Sequence, residues 1–323
     1  MNNSPRTVQM RQLRGLSLIE LLVSITIGLI LMIAIASAYL GSSGASRVAE
    51  AQGRMNEDGQ TALSILVQQV RMAGDNPRRY NYAFATPTNP AFGPGTFAIR
   101  GCDGVFSGVT TTAVISGLTC AAGTNSLPDS IAVAYEADTS NTVPTVGGLP
   151  TDCAGQGLPV STTNSVGTWN TSTLTVSTPT LSFYVADNRF YIKTPSTGNT
   201  PSLYCKGNGG TEQPLVENVE DMQLVYGTAP ATGTMTVAGF LSANSVETEA
   251  TLAALTDSSQ RWARVMSVRI CLLMRSPGPI VPDAGSAAYK NCDGSAGANA
   301  ADLRLRRTYF STVVLRNRVE PGN

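Results

Sequence analysis

Between Leu21 and Leu40 the polar side chains are Ser24, Thr26 and Ser37, and nearly every other position is apolar. About 20 such residues suffice to cross a bilayer core, so a transmembrane helix is predicted over 16–40. After Gly41-Ser42-Ser43-Gly44 the pattern changes. Val48, Ala51, Met55, Ala62, Ile65, Leu66, Val70 and Ala73 recur mostly at steps of three and four residues, the spacing of one helical face. Arg47, Glu50, Arg54, Glu57, Asp58, Gln60, Gln68 and Arg71 occupy the opposite face. Gly74 and Asn76-Pro77 supply a glycine stop with a proline soon beyond it. If span and amphipathic segment form one helix from Leu16 to about Ala73, its length is about 90 Å. Its weak points are Gly28 and the Gly41-to-Gly44 step, because glycine costs about 1 kcal/mol in a helix interior. A bend or local melting near Gly41 is therefore expected.

From Asp75 onward the pattern is one of strands and loops. Residues 130–136 alternate Ile131, Val133 and Tyr135 with smaller side chains, and 181–193 suggests a hairpin turning at Asp187-Asn188. The clearest period of two lies in 262–275, with Met266, Val268, Ile270, Leu272 and Met274 on one face and Ser267, Arg269, Cys271 and Arg275 on the other. Thr308 to Leu315 is a further strand. The predicted fold class is α+β: a long amino-terminal transmembrane-plus-amphipathic helix packed on a half-buried antiparallel sheet in a single head domain, with two small sheets as the alternative. The polar tracts 137–180 and 276–301 read as surface loops.

Composition narrows the function. The formal net charge is zero with 14% charged residues, which gives no electrostatic case for a nucleic-acid partner. Arg6, Arg11 and Arg14 precede the span without an accompanying acid, so the amino terminus is expected in the cytoplasm and the head on the exported side. All six cysteines, Cys102, Cys120, Cys153, Cys205, Cys271 and Cys292, follow the span, where an oxidising compartment favours disulfides. Six cysteines allow 15 pairings. The working expectation joins sequence neighbours, 102 with 120, 153 with 205, and 271 with 292.

The 323 residues contain no histidine, which removes the commonest acid–base group, the usual zinc ligand and the Ser-His-Asp and Cys-His arrangements. No phosphate-binding glycine motif opens a helix, and Gly207-Asn208-Gly209-Gly210 reads as a turn. Asp283, Asp293 and Asp302 lie in loops without the alternating acidic spacing of a calcium loop, so solvated loops are expected there. No catalytic residue, metal or cofactor is expected. Glu20 is the unusual group, because a carboxylate inside a span is expensive. One reading pairs it with a positive charge at the membrane face; the other leaves it in the head-group layer without a partner. An ordinary cleavable signal ending at Ala36-Ser37-Ala38 is the alternative for the whole segment, although its apolar run is long for such a signal.

Arg14-Gly15-Leu16-Ser17-Leu18-Ile19-Glu20, followed by the apolar run, resembles the prepilin signal of type IV pilin-like proteins. Arg54-Met55-Asn56-Glu57-Asp58-Gly59, Val70-Arg71-Met72-Ala73-Gly74, residues 216–224, residues 265–270 and Arg307-Thr308-Tyr309-Phe310-Ser311 resemble the PilW-type minor pilins. Leu16 departs from the phenylalanine most common at the mature start. The resemblance implies that a prepilin peptidase cuts after Gly15 and methylates the new amine of Leu16, and that Glu20, then fifth in the chain, acts in assembly. It implies the division 1–15 leader, 16–40 transmembrane helix, 41–74 amphipathic helix and 75–323 head. It further implies an inner-membrane protein that moves into the pilus, where it primes assembly and stays at or near the tip. Its partners would be other minor pilins, the major pilin and the inner-membrane assembly platform, and adhesion and twitching motility would be the pilus functions it serves. A J-type minor pseudopilin of type II secretion is the nearest alternative. A membrane-anchored periplasmic binding protein or hydrolase is a more distant one.

Overall fold

Helix α1 spans Leu18–Met72 and opens the computed structural model, which describes residues 17–76, 96–124, 126–164, 168–170, 172–173, 175–177, 180–230, 236–298 and 300–318. The chain divides into two units, with the boundary between Glu50 and Ala51 inside this helix. Hydrogen bonding is helical through Gly41 and Gly44, so the local melting expected there is not seen. Neither glycine meets a neighbouring atom, and no proline interrupts the helix. The one to two kcal/mol that two glycines cost is too little to break a helix continued on both sides.

In the second unit the buried positions of α1 are Met55, Gly59, Ala62, Leu63, Leu66 and Val70. They keep the predicted helical stripe but shift it, since Gly59 and Leu63 join it and Ile65 is only half buried. Gly59 lies against the ring of Tyr309, where an added Cβ would come within 2.9 Å of ring carbons. The helix ends at Gly74 in a left-handed conformation (φ 75°), and the Gly74 N–H donates to the Ala134 carbonyl (2.8 Å). Pro77 of the predicted stop lies outside the described residues.

The head carries two antiparallel sheets. The first takes β1 (Ile99–Cys102), β4 (Ser130–Ala137), β8 (Thr180–Lys193), β9 (Ser202–Lys206) and β10 (Gln213–Glu217) in that order, with β5 (Val160–Asn164) also paired to β8. The second has the order β12 (Gly239–Leu241), β11 (Val219–Thr228), β13 (Val265–Arg275) and β14 (Arg306–Val314). Two small hairpins, β2 (Phe106–Ser107) with β3 (Thr119–Cys120) and β6 (Thr168–Asn170) with β7 (Thr175–Ser177), lie outside them. One continuous core joins both sheets to α1 from Met55 to Ala73.

Three expectations need correction. The hairpin at Asp187-Asn188 is instead one uninterrupted 14-residue strand, β8. Neither residue is free to serve a turn. Asp187 binds Arg189 (3.0 Å) in a fully buried pair, and the Asn188 amide bonds Gln69 on α1 (2.8 Å) and the Tyr135 hydroxyl (3.2 Å). Second, the segment after β12 is helical: α2 (Ala243–Thr248), α3 (Ala250–Ala253) and α4 (Ser258–Trp262) bury Val246, Leu252 and Trp262. Side-chain caps from Ser242 and Asp257 start α2 and α4. Third, the head is not half-buried throughout. All eight residues of β4 are buried, because the strand is covered on both faces. The tract 137–180 accordingly contains strands, and 276–301 buries Val281 and Ala287 rather than lying wholly at the surface.

Candidate assembly interface

The first helical turn is built by its own sequence. Ser17 and Glu20 stand at the spacing of a capping box: the Glu20 carboxylate accepts from the Ser17 N–H (3.0 Å), and the Ser17 hydroxyl accepts from the Ile19 N–H (3.2 Å). Two orphan amide donors are thereby satisfied, and the negative charge sits at the favourable end of the helix dipole. The Ser-x-x-Glu spacing carries this signal, which the reading of Glu20 as a lone carboxylate in the span did not use. Only one carboxylate oxygen of Glu20 is used; the other has no partner among the described residues. Gly15 and Leu16 lie outside the described residues.

Beyond the cap, the helix presents apolar side chains on every side. Leu18 is 78% exposed and Ile33 69%, and none of the most apolar 18-residue window is buried. The few polar side chains turn inward on the backbone: Ser24, Thr26 and Ser37 donate to the carbonyls of Glu20 (2.6 Å), Val23 (2.9 Å) and Ala34 (2.9 Å). Such bonding leaves no hydroxyl donor unsatisfied in a medium without water. What the helix then offers outward is hydrocarbon, which water penalises and which lipid tails or other apolar helices accommodate.

The head is rigidified by disulfides and buried charge. The structure joins Cys102 to Cys120, Cys153 to Cys205 and Cys271 to Cys292, the sequence-neighbour pairs, with Cα separations of 5.4, 6.2 and 5.8 Å. Cys271 lies on β13, so the third bridge ties the 276–301 tract across the outer face of the second sheet. In the same region Arg306, its side chain 1% exposed, is clamped between Glu220 (2.5 Å) and Asp302 (2.6 Å). The bonds from Arg306 hold the Asp302 carboxyl down at about 2. Asp283 and Asp293 accept from Ser286 and Ser295 in their own loops. Among the described residues no cluster of ligating groups that could hold a metal is found.

Asp129 links the two sheets. Its backbone N–H donates to Met222 (2.7 Å), and its carboxylate accepts from the N–H groups of Leu224 (2.7 Å) and Gly104 (3.1 Å). Burial pushes this carboxyl up to about 7 despite those two bonds, with Asp103 and Asp221 adding to the rise. Close by, Tyr226 packs edge-on to Trp262 (4.9 Å between centroids), and its hydroxyl fills the space where Gly101 lacks a side chain. A cleft of about 390 Å³ opens beside these groups, lined by Arg100, Asp103, Glu247, Ser258 and Arg261 among others. Its carboxylates are already engaged. Asp103 caps α2 through the N–H groups of Ala243 and Asn244, and Glu247 holds Arg261, Ser258 and the Trp262 indole. Burial works against the Glu247 charge, but those donors prevail and lower its pKa.

Comparison with known proteins finds two family matches. Residues 189–317 match the type IV pilus-assembly protein W family, and residues 10–36 match the prokaryotic N-terminal methylation motif. The first match runs from the last third of β8 through β14; the second covers the capped start of α1. No curated protein matches the chain. Among solved structures, the type IV-like pilin TTHA1219 from Thermus thermophilus aligns with 83% of this chain and 99% of its own at 11% identity and a TM-score of 0.35. A methylation motif leading into an exposed apolar helix, together with a region similar to the type IV pilus-assembly protein W family that takes in all of the second sheet, supports a type IV pilin-like minor pilin of the PilW family.

Proposed function

We propose that this chain primes assembly of a type IV pilus and is incorporated at or near the tip. The observation that carries this reading is the helix from Leu18 to Leu40, apolar on all sides and capped at its start by a carboxylate with one oxygen unpartnered among the described residues. The division into a leader (1–15), transmembrane helix (16–40), amphipathic helix (41–74) and head (75–323) belongs to the same reading. Before assembly the span lies in the inner membrane with its amino terminus in the cytoplasm. Prepilin peptidase cuts after Gly15 and methylates the amine of Leu16. That amine on one helix then pairs with the open oxygen of Glu20 on its neighbour, at a membrane face where an unpaired charge is costly. Exchange of lipid for neighbouring helices brings the span into the filament. Other minor pilins and the major pilin are the partners, delivered by the assembly platform. The head serves as a presented surface and carries out no reaction.

The test begins with the intact mass and terminal sequence of the protein from membranes of its native host. A methylated chain beginning at Leu16 is expected; one beginning at Tyr39 would mean an ordinary signal peptide and end the proposal. Glu20→Ala should leave cleavage intact and reduce incorporation into pili, whereas normal incorporation would sink the pairing role. Deletion should abolish or shorten pili while secretion continues. The reverse phenotype would assign the chain to a type II secretion pseudopilus.

A further inference from the structure

Among the described residues, the two larger sheets have five edges, of which four are short or blocked and one is neither. On the first sheet, β1 has four residues and ends in a disulfide-bonded cysteine, β5 has five, and β10 carries Pro214 with a register shift beside it. On the second sheet β12 has three residues. Such short strands, prolines and bulges are the devices that keep sheet edges from pairing with other chains. Strand β14 has nine residues, no proline and an unbroken register with β13 from Arg306 to Val314.

The open side of β14 can be assigned from its ends. The Leu315 N–H donates inward to Met266 (2.9 Å), and the Leu305 carbonyl accepts inward from Ser276 (2.8 Å). Odd-numbered residues therefore pair with β13, and the amide groups of Thr308, Phe310, Thr312 and Val314 point to the free edge. Among the described residues no partner is found for them. The side chains of these residues share the outer face of the sheet, where Phe310 is 56% and Val314 52% exposed. Arg269, on β13 opposite Thr312, turns away from this edge to lie over the Phe240 ring on β12 (4.3 Å). Arg307, within β14, is exposed on the opposite face from Phe310, and Arg316 is exposed just beyond the strand. Neither Arg307 nor Arg316 forms an ion pair among the described residues, and Arg306 through Asn317 contains no carboxylate.

We infer that the β14 edge is a docking site for an extended segment of another polypeptide, one that adds as a strand and carries alternating apolar and acidic side chains. Backbone pairing to Thr308, Phe310, Thr312 and Val314 supplies the register; on one face the added strand's apolar side chains cover Phe310 and Val314, and on the other its acids meet Arg307, with Arg316 at the strand's end. This inference goes beyond the assembly reading and does not depend on it.

The test places p-benzoylphenylalanine at Phe310 in the full-length chain, illuminates native membranes, and sequences the cross-linked peptide. The expected adduct is with a segment of another polypeptide in which apolar residues alternate with Asp or Glu. Thr312→Pro, which deletes an outward amide and leaves the pairing with β13 intact, should lower the adduct yield about fivefold, the loss of one backbone hydrogen bond. A melting curve of the variant controls for folding. Should Thr312→Pro not accumulate, Val314→Pro makes the same deletion at the strand's end. Arg307→Glu combined with Arg316→Glu should also reduce the yield. No adduct, an adduct with lipid or within the same chain, or a yield indifferent to the proline would overturn the inference.

Discussion

The helix segment before Ala51 and the head after it treat apolar surface in opposite ways. In the first, Leu, Ile and Met side chains between Leu18 and Leu40 stand exposed while the hydroxyls fold back onto the helix. In the second, Trp262, Tyr226, Phe190 and Leu66 are fully buried and charged groups such as Arg306 are clamped by partners. The contrast teaches that the two are built for different solvents. Water stabilises the head by rejecting its core, whereas the same rejection drives the bare helix into lipid or against other helices.

Substitutions separate the two regimes. The largest effect is expected from Gly101→Ala, whose Cβ would lie 1.9 Å from the Tyr226 hydroxyl. Overpacking there should cost about 3 kcal/mol or more in head stability, read as a fall in Tm, with membrane retention unchanged. Leu31→Lys should do the reverse. A charge near the centre of the span costs roughly 3 kcal/mol on insertion, so membrane fractionation should change while the melting of the head does not.

Removing the Cys271–Cys292 bridge by replacing both residues with serine should lower head stability by about 2–3 kcal/mol in chemical denaturation. Asp129→Asn addresses pH. The raised carboxyl of Asp129 binds its proton more readily folded than unfolded, so its contribution is most favourable at low pH and is lost as pH rises from the ordinary 3.8 through about 7. The variant should show a smaller drop in Tm between pH 4 and pH 7 than the parent; an identical drop would mean that Asp129 titrates elsewhere. The smallest effect belongs to Gly44→Ala, which meets no neighbouring atom and should firm the helix by less than about 1 kcal/mol, visible as slower amide exchange around residue 44.

The sequence by itself determined the elements whose signal is local and long: the apolar run to Leu40, the helical stripe toward Ala73, the glycine stop at Gly74 and the alternation of β13 and β14. It also carried the Ser17-to-Glu20 cap, since hydrogen bonds within one turn depend on spacing alone. What only the tertiary structure decided were the choices in which distant residues outvote local preference. Asp187-Asn188 looks like a turn until Arg189, Gln69 and Tyr135 satisfy both side chains within a strand. Gly59 looks like a weak point in a helix until the Tyr309 ring occupies the space it leaves. The openness of the β14 edge likewise has no counterpart in its own nine residues, because an edge exists only once the neighbouring strands have been placed, and strand order is set by contacts far apart in the chain.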